Sequence, residues 1–132
     1  MAQREFEREG LLIDYWEDPF PYSPDHLSLA AKEGVGLAAD EWWREYPSLL
    51  DGIKVVVIKP ALGQGLQPLY SLCQQNSVKI VLSSIYETSW TLRQYTQFIS
   101  LFPQAFEKYQ GLSTASYLIH DPSPIGSSDE RA

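Results

Sequence analysis

The sequence contains a single cysteine, Cys73, few basic residues and no long apolar run. One cysteine cannot form an internal disulfide, which favours a reducing compartment. Ten Lys and Arg against 17 Asp and Glu give a net charge of −7, whereas a nucleic-acid surface needs clustered basic side chains. No apolar stretch approaches the roughly 20 residues that span a bilayer. We therefore expect neither a nucleic-acid nor a membrane partner.

A secretory signal is also missing, because the first ten residues are charged and lack an apolar segment, so we expect a cytoplasmic location. The composition, 44% hydrophobic and 20% charged, is that of an ordinary globular domain. The length of 132 residues is far short of the roughly 250 residues of a closed β/α barrel. The Pro- and Ser-rich stretch 121–132 is expected to form a flexible tail.

Four short apolar runs alternate with segments of helical period. Continuous apolar runs are typical of strands covered on both faces, as in a parallel sheet. Their alternation with helices predicts an α/β fold with parallel strands and flanking helices. The strands are expected at 11–17, 35–40, 54–59 and 79–84, with a short one near 109–112, and the helices at 5–9, 24–33, 67–75 and from 88 or 89 onward, with a turn or short helix at 47–50.

Polar residues stand where the apolar runs end. Glu17 ends the first run, Asp40 the second and Lys59 the third, and Ser83 and Ser84 end the fourth. In a β/α barrel these carboxyl ends gather the chemistry. Carboxylates suit Mg²⁺, and a lysine beside the metal can act as a base or stabilise an enediolate. The pattern predicts Glu17 and Asp40 as Mg²⁺ ligands and Lys59 as a catalytic residue.

Each of these residues also has an ordinary explanation. Glu17 before Asp18-Pro19 is compatible with a turn, Asp40 with a cap on the next segment, and Lys59 with a solvated strand end. Three suitable residues at equivalent positions on three successive strands favour the site. Four other features are weak candidates for a catalytic or binding role. They are His26 on an outer helix, His120 without ligand neighbours, Cys73 as a buried structural thiol, and Gly63-Gln64-Gly65 without the full dinucleotide spacing.

The strand ends resemble those of the enolase superfamily. Glu17-Asp18-Pro19 is similar to the Glu-x-Pro motif of its fourth barrel strand, and Asp40-Glu41 to the Asp-Glu of its fifth. Within the superfamily the o-succinylbenzoate synthases are most similar. Their sixth, seventh and eighth strand motifs resemble Val57-Ile58-Lys59-Pro60, Ser83-Ser84-Ile85-Tyr86-Glu87-Thr88 and Gly111-Leu112, so that the likeness runs from Leu11 to about Thr114.

This resemblance implies a fold and an activity. Residues 1–120 would form the C-terminal part, about strands 4 to 8, of an enolase-type β/α barrel. Glu17 and Asp40 would be two of three Mg²⁺ ligands, and Lys59 would stabilise the enediolate. Ser83, Ser84 and Gly111 would line the pocket of a small-molecule carboxylate substrate. The implied lyase reaction is the Mg²⁺-dependent dehydration of a cyclohexadiene carboxylate to o-succinylbenzoate, a step of menaquinone synthesis.

Some parts of the family pattern are missing from the sequence. The capping domain, the first three barrel strands, the Lys-x-Lys base motif and the first carboxylate ligand have no counterpart. We therefore expect the chain to be inactive alone and to pair with the missing portion or with itself. Two alternatives stay open: another superfamily enzyme, such as a dipeptide epimerase or an N-succinylamino acid racemase, and a non-catalytic binding module with a flavodoxin-like sheet.

Overall fold

A computed structural model describes residues 2–46, 52–63, 66–75 and 78–112. The fold is α/β, with one parallel sheet of four strands in the order β1-β2-β3-β4 and flanking helices. The expected fold class is therefore confirmed at this level. The strands are β1 (Trp16–Glu17), β2 (Leu37–Ala39), β3 (Val55–Ile58) and β4 (Lys79–Leu82), and the helices are α1 (Ala2–Arg8), α2 (Pro24–Lys32), α3 (Glu41–Glu45), α4 (Leu66–Gln75) and α5 (Ser89–Leu101), with a 3₁₀ turn at Pro60–Leu62.

The chain divides into two compact units, Met1–Val57 and Ile58–Ala132, and the boundary falls within β3. No helix in the described ranges is long and apolar enough to cross a membrane. The predicted turn at 47–50 and the predicted tail at 121–132 lie outside the described residues.

The two central strands are buried along their whole length, as the continuous apolar runs predicted. Ala38 of β2 pairs with Glu17 on one side and with Val55 on the other. Each fully buried aliphatic side chain of such a strand contributes about 1.5–3 kcal/mol relative to an exposed one. Buried apolar residues of the first unit therefore centre on β2 and the start of β3, and those of the second unit include Ile80, Val81 and Leu82 of β4.

The first strand is shorter than the sequence predicted. Only Trp16 and Glu17 are strand, whereas Leu11 and Leu12 are 54% and 93% exposed. The reason lies in the pairing, since β1 is a terminal strand of the described sheet and has a neighbour on one side. Its approach to β2 is nevertheless close, because a Cβ atom on Gly36 would collide with the backbone oxygen of Asp14.

Local signals placed the longer helices correctly. Ser23 caps α2 by accepting a hydrogen bond from the backbone N–H of His26 at 3.5 Å, and Gly34 follows the helix with a φ of +69°. Thr88 caps α5 in the same way by accepting from the backbone N–H of Thr91 at 3.5 Å. Helix α3 was not predicted, and its cause is a contact between distant residues.

The region after α5 returns to β4 without forming a regular strand. Two isolated parallel bridges join β4 and its end to this region, Ile80 with Phe106 and Ser83 with Gly111. The strand expected near 109–112 is therefore reduced to the single bridge at Gly111. Between the two bridges the side chain of Gln110 takes the place of a strand backbone.

That side chain makes three hydrogen bonds. Its oxygen accepts from the backbone N–H of Leu82 at 2.6 Å, and its nitrogen donates to the backbone oxygens of Glu107 at 2.7 Å and Ile80 at 3.4 Å. A buried strand amide without an acceptor costs about 1–3 kcal/mol. Gln110 prevents that cost by supplying the acceptor for the N–H of Leu82, whose carbonyl oxygen accepts from the backbone N–H of Gly111.

Candidate functional site

Glu17 and Asp40 lie at the ends of neighbouring strands. Glu17 is the last residue of β1, is exposed, and is the register partner of Ala38. Asp40 directly follows β2 and is only 4% exposed. Since Asp40 is two residues beyond Ala38, alternation along an extended strand puts it on the same side of the sheet as Glu17. The predicted pair is thus brought to one edge of the first unit.

Asp18, the middle residue of the Glu17-Asp18-Pro19 motif, organises this edge. Its two carboxylate oxygens accept hydrogen bonds from the backbone N–H groups of Asp40 at 3.3 Å and Glu41 at 2.7 Å. Asp18 itself has a φ of +36°, in the left-handed region. It therefore caps α3 from a loop 22 residues away in sequence. Asp40 occupies the N-cap position but makes no side-chain capping bond, so the capping role considered for it belongs to Asp18.

Arg44 on α3 neutralises part of the charge here. Its Nη2 lies 3.2 Å from a carboxylate oxygen of Glu41, and its Nε lies 3.9 Å from a carboxylate oxygen of Asp40. The side chain of Arg44 is one-third exposed, so solvent screens these pairs. A metal at Asp40 would share that carboxylate with Arg44.

The donor chemistry of this edge fits Mg²⁺ in part. Mg²⁺ is commonly held by one or two carboxylates and completes its six positions with water and substrate oxygens. Glu17 and Asp40 supply two such carboxylates. Among the described residues, however, no group of three or more His, Cys, Asp or Glu side chains could hold a metal ion. The assignment of Glu17 and Asp40 as Mg²⁺ ligands therefore stays a prediction.

A cleft of about 580 Å³ adjoins Asp18 in the first unit. Its walls come from the loop after β1 and from α3, and they combine aromatic rings with carboxylates. Sequence reasoning missed it, although Phe20-Pro21-Tyr22 and Trp42-Trp43 were visible as aromatic groups in the sequence. The lining residues are Asp18, Phe20, Pro21, Tyr22, Glu41, Trp42, Glu45 and Tyr46.

Lys59 lies in the second unit, directly after β3. It is half-buried and occupies the N-cap position of the 3₁₀ turn that Pro60 opens. The preceding strand is fully buried, which fixes the backbone from which Lys59 emerges. Its place after a buried strand agrees with the sequence interpretation, and its catalytic role stays a prediction.

Ser83, Ser84 and Gly111 are brought together in the second unit. The Ser84 side chain is buried and its hydroxyl donates to the backbone oxygen of Gly111 at 2.9 Å, while the Ser84 N–H donates to the same oxygen at 2.7 Å. A Cβ atom on Gly111 would lie 3.0 Å from the hydroxyl oxygen of Ser83. The three residues therefore form one tightly packed group, and Ser84 has a structural contact of its own.

Glu87 and Tyr95 form a polar contact close to this group. Glu87 accepts a hydrogen bond from the backbone N–H of Ile85 at 2.5 Å, in a turn where Tyr86 has a φ of +69°. Burial raises the pKa of Tyr95 above its ordinary value, and the negative charge of Glu87 and the hydrogen bond to it add to the effect. Burial and the charge of Glu87 thus both favour the protonated form of the Tyr95 hydroxyl.

Of the two histidines, His26 is exposed on α2 and packs edge-on against the ring of Phe20 at 5.0 Å, which agrees with a helix on the outside of the sheet. His120 and the side chain of Cys73 lie outside what the structure describes. No protein-family model matches this sequence, and no curated protein matches it either.

Proposed function

We propose that this chain is the C-terminal barrel portion of an enolase-superfamily enzyme similar to the o-succinylbenzoate synthases. The complete enzyme would be a cytoplasmic carbon–oxygen lyase that dehydrates a cyclohexadiene carboxylate to o-succinylbenzoate with Mg²⁺. The main support is the strand order: the four parallel strands are neighbours in the sheet in the same order as in the chain. Sequential parallel winding is the order of a β/α barrel.

The same observation weighs against the flavodoxin-like module. A flavodoxin-like sheet has the order 2-1-3-4-5, and its ligand site is where that order reverses. The described sheet has no reversal in its order β1-β2-β3-β4. The region after α5 continues the series, because Phe106 and Gly111 bridge to β4 and its end.

Each strand-end residue would have a task of its own. Glu17 and Asp40 would hold Mg²⁺, which supplies electrostatic stabilisation of a substrate carboxylate as an α-proton leaves. The Lys59 ammonium would stabilise the same developing negative charge by its own charge and hydrogen bonds. Ser83, Ser84 and Gly111 would shape the wall against the rest of the substrate, and the absence of a side chain on Gly111 keeps that wall compact.

The sequence lacks the Lys-x-Lys base motif, so the proton-removing residue has to be supplied by another polypeptide segment. We expect the purified chain to show no dehydration by itself and to gain it when co-expressed with a segment that carries this motif and the third carboxylate. In the reconstituted enzyme, Lys59→Ala should lower the turnover number by about 10²- to 10³-fold, the usual cost of removing one group that stabilises a developing anion.

Metal binding by the isolated chain provides an independent test. A Mg²⁺ titration followed by calorimetry should give weak binding that Glu17→Gln and Asp40→Asn each reduce, because each removes one charged ligand. Asp25→Asn, an exposed carboxylate on α2, is the matched control and should leave the binding unchanged. Binding that survives both strand-end substitutions would refute the metal assignment, and dehydration unaffected by Lys59→Ala would refute the role of the lysine.

A further inference from the structure

The cleft of the first unit is built from aromatic rings that contact one another. The rings of Tyr22 and Tyr46 stack with their centroids 4.4 Å apart and 24° between their planes. Trp42 contacts both Phe20 and Tyr22, with centroid distances of 5.1 and 6.3 Å. Tyr46 is 40% exposed, whereas Trp42 is buried at the base with 7% exposure. The result is a wall of aromatic rings in mutual contact that is open to solvent at Tyr46.

Carboxylates outnumber cations around this wall. Asp18, Glu41 and Glu45 line the cleft itself, and Asp40 lies next to Asp18. The cation seen in contact with this group is Arg44, which pairs with Glu41 and Asp40. Glu45 lies one turn beyond Glu41 on the same short helix and is exposed. The cleft therefore combines a negative potential with the faces of aromatic rings.

We propose that this cleft binds a small quaternary ammonium ion. The face of an aromatic ring carries the negative part of its quadrupole and attracts weakly hydrated organic cations within about 6 Å of the ring centre. The carboxylates add a long-range attraction for the same charge. A volume of about 580 Å³ lies in the range of small-molecule sites and easily holds a group of the size of choline.

The cleft is less suited to a bare metal ion. Asp18 already accepts two backbone hydrogen bonds at 2.7 and 3.3 Å, so its oxygens are partly used. A hard divalent ion also requires several oxygen ligands, whereas four of the eight residues that line this cleft are aromatic. A methylated ammonium ion requires no direct oxygen ligands, because it is bound by ring faces and attracted by the charge of carboxylates that it need not contact.

The test compares choline with 3,3-dimethylbutan-1-ol, which has the same shape without the charge. Binding to the full chain would be followed by NMR, through the indole and ring signals of Trp42 and Phe20. We expect choline to shift these signals saturably at millimolar concentration and the neutral alcohol to shift them little. Tyr46→Leu should weaken choline binding by about three- to tenfold, whereas Tyr46→Phe, which keeps the ring, should bind within about twofold of the parent.

Two controls separate the cleft from general effects. Tyr109→Leu removes an exposed tyrosine of the second unit and should not change the affinity. Glu45→Gln should weaken binding and reduce its dependence on salt, because it removes one carboxylate from the rim. Equal binding of choline and the neutral alcohol, or no saturable shift of the cleft signals, would overturn the proposal. A peptide with trimethyl-lysine that binds more than about tenfold tighter than choline would overturn the small-molecule assignment. The inference needs neither Mg²⁺ nor turnover and does not depend on the proposed enzyme activity.

Discussion

A carboxylate oxygen of Asp18 accepts a hydrogen bond from the backbone N–H of Glu41 at 2.7 Å and thereby joins the ends of two neighbouring strands. Asp18 follows β1, and Glu41 opens the helix that follows β2. A negative charge at a helix N-terminus is favourable because the first N–H groups of the helix have no partners within it. The contact therefore forms the short helix α3 and fixes the backbone of Asp40 beside it.

Removal of this cap should destabilise the first unit. We expect Asp18→Ala to lower the free energy of unfolding by about 1–2 kcal/mol, because it removes the cap and leaves an alanine at a φ of +36°. Asp18→Asn should cost less, since asparagine keeps one oxygen acceptor and tolerates positive φ. Urea unfolding followed by circular dichroism measures both effects. Asp14→Ala, an exposed carboxylate two residues before β1, is the control, and an equal loss there would contradict the capping role.

Gly36 should tolerate no side chain. A methyl group there would collide with the backbone oxygen of Asp14, and neither strand end can move without breaking the pairing of β1 with β2. We expect Gly36→Ala to lower the free energy of unfolding by about 2–3 kcal/mol. Gly10→Ala is the comparison, because Gly10 has a φ of +78° and open space around it, so that it measures backbone strain alone. A cost for Gly36→Ala no larger than for Gly10→Ala would show that the close approach is absent.

The side-chain amide of Gln110 should contribute to the free energy of unfolding even though the residue is only partly buried. Gln110→Ala leaves the N–H of Leu82 without its acceptor in a strand residue that is fully buried. The expected loss is about 1–3 kcal/mol of unfolding free energy, together with faster hydrogen exchange of the Leu82 amide. Gln94→Ala on the exposed face of α5 is the matched control. Unchanged exchange at Leu82 in Gln110→Ala would contradict this contact.

The raised pKa of Tyr95 predicts a loss of stability in alkali. In the unfolded chain Tyr95 loses its proton near its ordinary pKa of 10.0, while burial and Glu87 hold the proton on the folded form to higher pH. The unfolded state then binds fewer protons than the folded state, so the free energy of unfolding falls as the pH rises above 10.0. Below that pH both states keep the proton, and this residue causes no change.

Urea unfolding at a series of pH values below and above 10.0 measures this loss of stability. Tyr95→Phe should show a smaller alkaline loss than the parent, since phenylalanine cannot titrate. Tyr109→Phe, which changes a tyrosine that is 77% exposed, should retain the loss of the parent. A Tyr95→Phe variant with the full alkaline loss would rule out the contribution of Tyr95.

The features that the sequence could predict are those encoded by neighbours along the chain. The buried strands β2, β3 and β4 follow from continuous apolar runs, and α2 and α5 follow from the capping residues Ser23 and Thr88. These signals act over a few residues, so no knowledge of the tertiary structure is needed to read them.

The features that could not be predicted depend on residues far apart in sequence. Helix α3 is capped by Asp18 rather than by a residue next to it, and the short β1 reflects a sheet in which it has one described neighbour. The cleft combines a loop after β1 with a helix after β2, and the bridge region near Gly111 depends on a side chain that replaces backbone. Nothing in local propensity indicates such contacts.

Gln110 also makes the protein sensitive to its own chemical ageing. Hydrolysis of the side-chain amide releases ammonia and leaves a carboxylate, so the one nitrogen that donates to the backbone oxygens of Ile80 and Glu107 would be replaced by a carboxylate oxygen that faces those two oxygens. A protein that has deamidated at this one position would lose both hydrogen bonds that this nitrogen donates, and β4 would be joined to the region after α5 by the backbone bridges alone. Old and fresh preparations of the same sequence would then differ in stability without any mutation.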